Sequence, residues 1–130
     1  MLLYVRFKKV AVSWCDMEKF VEQSLLFDFY GELLNEHQKS IYVDAVFNDL
    51  SLSEIADEHG ISRQGVHDMI KRVNKTLDGY EQKLHLIEKF MQTKEKVRCI
   101  NELTDTFFDS GDSECIRKIH QITKEIIDTF

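Results

Sequence analysis

The sequence predicts an all-α fold, a helical bundle with one helix-turn-helix and a long helix following it, and three observations predict it. No proline and only five glycines interrupt 130 residues, so little forces the backbone out of long helices. Apolar residues recur in steps of three and four along most of the chain, the period of a helix with one buried face. Capping residues stand ahead of those runs, at Asn35, Ser51 and Ser62. With 43% hydrophobic and 11% aromatic residues, a chain of this length fills one modest core.

Residues 1–16 are basic and β-leaning, carry Arg6, Lys8 and Lys9 among apolar residues, and read as an N-terminal extension or arm. The helical pattern starts at Met17, with Phe20, Val21, Ser24, Leu25 and Asp28 near one stripe, so residues 17–130 are expected to form a single all-helical domain. Asn35, followed by Glu36, caps a second helix that carries Ile41, Tyr42, Ala45 and Val46 on one side and ends near Asn48 or Asp49. Ser51 with Glu54 is a capping box, and the third helix it opens buries Leu52, Ile55 and Ala56 and stops at Gly60. Ser62 caps a fourth, whose Val66, Ile70, Val73, Leu77, Tyr80, Leu84, Ile87 and Met91 alternate steps of four and three. That stripe predicts one helix, or two nearly collinear ones, over 63–95. Leu86, Phe90 and Val97 make a second stripe on a neighbouring face. Ile100, Leu103 and Phe107 suggest a short helix to about Phe108, residues 109–112 a loop, and Ile116, Ile119, Ile122, Thr123 and Ile126 a closing helix. The stripe from Val66 to Met91 looks longer than the other helices can cover, so a homodimer that shares it is expected; the alternative is that residues 97–130 fold back over it.

The formal net charge of −6 argues against a protein that coats nucleic acid through a broad basic surface. Any such contact must be local, and residues 62–75 hold Arg63, Lys71, Arg72 and Lys75 against Asp68 alone. Cys15, Cys99 and Cys115 are odd in number and lack C-x-x-C spacing, which supports neither a disulfide framework nor a zinc site and fits a reducing cytoplasm. No stretch is apolar enough to insert in a membrane. His37, His59, His67, His85 and His120 are scattered, and no metal motif, phosphate loop or nucleophile with its base is evident, so neither catalysis nor a cofactor is expected.

In SLSEIADEHGISRQGVHDMIKRVNK, residues 51–75, the spacing is that of a helix-turn-helix at 52–75. Ala56 is small where the second helix crosses the first, Gly60 suits the sharp turn, and Ile55, Ile61 and Val66 fill the angle between the helices. With Val66, Ile70 and Val73 turned inward, the second helix exposes Arg63, Gln64, His67, Asp68, Lys71 and Lys75. Around the Ser62 cap, Arg63 suits guanine and Gln64 adenine in a major groove, while Lys71, Arg72 and Lys75 suit phosphates. The same charges would also dress an ordinary solvated face, and acidic Glu54, Asp57 and Glu58 lie close by.

LFDFYGELL at 26–34, the helix-turn-helix at 51–75 and YEQKLHLIEKF at 80–90 together resemble the YlxM family, small bacterial proteins whose fold is similar to region 4 of sigma factors. The resemblance covers about Met17 to Phe90. It implies a DNA-binding or regulatory protein tied to the signal recognition particle pathway through gene neighbourhood with the targeting GTPase Ffh and its receptor. It also leaves open an accessory that binds Ffh or its RNA without reading DNA. SRQGVHDMIKR stands here where the family more usually has SRQAVYDNIKR, so Gly65, His67 and Met69 depart from its recognition helix.

Overall fold

The computed structural model describes residues 15–130, so the reading of residues 1–16 as an extension lies, but for its last two positions, outside the described residues. Six α-helices and no strand are present among the described residues: α1 (Cys15–Tyr30), α2 (Glu36–Val46), α3 (Leu52–His59), α4 (Arg63–Leu84), α5 (Leu86–Ser110) and α6 (Ser113–Thr129), with a 3-10 turn at Gly31–Leu33. They fall into two compact units, one ending at Ile87 and the other running from Glu88 to Phe130.

In the first unit α4 is the central element and packs against α1, α2 and α3. Leu26, Tyr30, Ile41, Tyr42, Ile55, Val66, Val73 and Leu77 are buried there. The first half of the long stripe is therefore covered within one chain, and the reason the sequence offered for a homodimer does not hold. Leu84 is nearly half exposed, because α4 ends on it. The stripe expected on α1 is also corrected. Phe20, Val21 and Asp28 are exposed, while Leu26 and Tyr30 are buried and Gln23 donates to Asn74 at 3.2 Å. Positions 23, 26 and 30 define the inward face because that is the line lying along α4.

Helix starts follow the caps. Asn35 and Ser51 each close a capping box, with Gln38 and Glu54 respectively, which satisfies amide donors that a helix start leaves without partners. Of the one helix or two expected over 63–95, the structure has two, parted at His85, which adopts φ 54°, and α5 then runs unbroken to Ser110 instead of stopping and restarting after residue 95. A buried carboxylate explains the break. Glu81 Oε2 accepts from Tyr30 Oη at 2.6 Å and from Ile87 N at 3.1 Å, and Tyr30 Oη accepts from Leu86 N at 3.2 Å. The first amides of α5 are thus capped from α1 and α4, with the negative group at the positive end of the helix dipole. Burial and the Glu81 hydrogen bond push the Tyr30 phenol up to about 12.

Candidate nucleic-acid interface

The helix-turn-helix is α3, a turn and the first half of α4. Ile41, Ile55, Ala56 and Val66 form one buried cluster, with Leu52, Ile61, Met69 and Ile70 packed against it. Gly60 ends α3 at φ 66°, in the left-handed region where a side chain is disfavoured. Ile61 N donates to Ala56 O at 3.1 Å, which draws the chain back under α3 before Ser62 begins the next helix. Ser62 Oγ accepts from Gly65 N at 2.9 Å. Met69 is half-buried against this cluster and so belongs to the packing side.

Arg63, Gln64, His67, Asp68, Lys71, Arg72 and Lys75 are all exposed. They share the outer side of α4 because Val66, Ile70 and Val73 occupy the inner one. Sequence reasoning did not find that Asp68 organises this face: Gln64 Nε2 donates to Asp68 Oδ1 at 3.0 Å and His67 Nδ1 lies 3.6 Å from the same oxygen. The i, i+4 spacing of Gln64 and Asp68 was the signal. A carboxylate therefore sits between the base-reading candidates near the start of α4 and the phosphate candidates Lys71, Arg72 and Lys75 further along. Gly65 gives the start of the helix a surface without a side chain, and a Cβ there would meet Ser62 Oγ at 3.1 Å.

The histidines are less scattered than the sequence suggests. His59 Nε2 lies 2.9 Å from Asp44 Oδ2, and the His37 and His59 rings meet edge to face with centroids 5.9 Å apart. Hydrogen bonds from His59 and Asn48 hold the Asp44 carboxyl below its ordinary value. Glu58 joins them to give ligand atoms within 4.8 Å of one another. The pair ties the end of α3 to α2, which fixes the frame from which α4 projects. No helix among the described residues is long and apolar enough to cross a membrane.

Residues 17–122 match a family described as "Putative helix-turn-helix protein, YlxM / p13 like". A UPF0122 protein of Desulforamulus reducens is 41% identical over 86% of this chain and 96% of its own length. One of Acetivibrio thermocellus is 38% identical over 87% of this chain and all of its own length. The UPF0122 protein YlxM of Bacillus subtilis is 45% identical over 67% of this chain and 79% of its own.

Proposed function

From the premise that the chain belongs to the UPF0122 family of YlxM/p13-like helix-turn-helix proteins, we propose that it binds duplex DNA through the exposed side of α4 and acts as a regulatory protein in the signal recognition particle pathway. One observation carries the reading: four basic residues with a single acidic one are exposed along the outer side of a helix whose inner side is locked in a helix-turn-helix cluster. Ser62, Arg63, Gln64 and His67 sit at its start, where a recognition helix meets base edges. Lys71, Arg72 and Lys75 follow over the next turns, where the phosphates run. The remainder of the net −6 charge keeps that footprint small. Two copies would pair two such helices on a repeated half-site.

The test is selection of genomic fragments on the purified full chain at low salt. Enrichment of a shared sequence is expected, and Arg63→Ala with Gln64→Ala should erase the preference while general affinity persists. The exposed Glu54, Asp57 and Glu58 on α3 favour a second reading, an accessory of the targeting GTPase Ffh or its RNA, because they would repel phosphates beside α4. Retention of Ffh or its RNA by the same preparation, with no DNA sequence enriched, would decide for it.

A further inference from the structure

Where the end of α3 meets α2, three side chains with ligand chemistry converge. Asp44 comes from α2, and Glu58 and His59 are the last two residues of α3. Each offers one ligand atom, and these atoms lie within 4.8 Å of one another; no other set of three histidines, cysteines or carboxylates comes together in this way among the described residues. The intervals between them match no metal motif, because the ligands stand on two helices that meet only in the fold.

His59 Nε2 lies 2.9 Å from Asp44 Oδ2, close to the roughly 3.0–3.3 Å that separates two ligand atoms on one zinc ion with bonds near 2.0–2.1 Å. Both side chains are largely buried, at 14% and 15% exposed, so packing holds them in this pose. Asn48 Nδ2 donates to Asp44 Oδ1 at 2.9 Å, an outer partner of the kind that orients a ligating carboxylate, and it leaves Oδ2 to the imidazole. The His37 ring packs edge to face on His59 and steadies it. Glu58 is exposed and free to close the remaining distance. The two carboxylates stand near the C-terminal end of α3, where the helix dipole also favours a cation.

We propose that Asp44, Glu58 and His59 bind a zinc ion that clamps the end of α3 to α2. One imidazole and two carboxylates suit a first-row divalent ion that accepts nitrogen and oxygen together, whereas magnesium and calcium take oxygen alone. In the metal-free chain His59 and Asp44 share a hydrogen. The ion takes that hydrogen's place, and the neutral ring then carries its own hydrogen at Nδ1. Two negative charges meet two positive ones, and water fills the fourth position on the exposed side. Bound there, the ion fixes the angle between α2 and α3, and with it the frame from which α4 projects. Cys99 and Cys115, the other residues with an affinity for zinc, belong to the second unit and take no part.

The site is independent of what α4 binds, so its test needs no nucleic acid. The full chain, stripped with a chelator, is titrated with zinc chloride near neutral pH by isothermal calorimetry. One ion per chain is expected, with a dissociation constant of about 10 μM or tighter. Glu58→Gln is the decisive variant, because Glu58 is exposed and its replacement leaves the hydrogen bond between Asp44 and His59 in place. Its helical spectrum should match wild type while the affinity for zinc falls tenfold or more. His59→Ala should abolish binding at this site. In nitrogen-15 correlation spectra of the imidazoles, zinc should shift His59 Nε2 ahead of His67, His85 and His120. No saturable binding below about 100 μM zinc, a Glu58→Gln variant that binds as tightly as wild type, or a titration in which other histidines or the cysteines take the ion while His59 does not shift would each overturn the proposal.

Discussion

Ala56 is where a single side chain decides whether the two helices of the motif can cross. It is buried in the cluster with Ile55 and Val66, and Ala56→Leu is expected to cost about 1–3 kcal/mol by overpacking; thermal unfolding reads this directly. These positions were legible because the motif demands a small residue, a turn glycine and apolar plugs at fixed spacing. The tether of Gln64 to Asp68 was not, since side-chain spacing alone does not say which of several exposed partners is chosen. Its consequence is electrostatic. Asp68→Ala removes the carboxylate from the middle of the proposed DNA face and is expected to tighten binding to all sequences about two- to fivefold, the scale of one exposed charge. A fluorescence anisotropy titration at constant salt would measure it, and weaker binding would indicate that Asp68 holds Gln64 in a required pose.

At the level of helices, capping signals read well and junctions read poorly. Asn35, Ser51 and Ser62 each sit one residue before a helix, because an N-cap needs only a local side chain. The break at His85 depends on Glu81 and Tyr30, which are 51 residues apart in sequence, and neither glycine nor proline marks it. Tyr30→Phe leaves Glu81 Oε2 and Leu86 N without their phenolic partner and is expected to cost about 1–3 kcal/mol in denaturant unfolding. The tie between α3 and α2 gives a pH test. Because the Asp44 carboxyl is held below its ordinary value, the stability it contributes is present above the unfolded carboxylate value and is lost as pH falls through the lower folded one. Asp44→Asn should therefore differ from wild type most near neutrality and converge with it as pH falls through and below the lowered folded value.

For the molecule as a whole, composition and period were enough to show an all-helical chain with its helix-turn-helix, whereas the arrangement of helices after residue 85 was not legible. Ile100, Leu103 and Phe107 continue the helical period without a cap, so the pattern could not separate one long helix from two. The charge pattern sets the most direct test of the proposed function. With Lys71, Arg72, Lys75 and Arg63 as the basic groups on the face, the logarithm of DNA affinity should fall with the logarithm of salt at a slope of about −3 to −4 per motif. Lys71→Ala with Lys75→Ala should weaken all sequences alike and flatten that slope by about two. An unchanged slope in that variant, or no duplex retained by the wild type even at about 50 mM salt, would contradict DNA binding through α4.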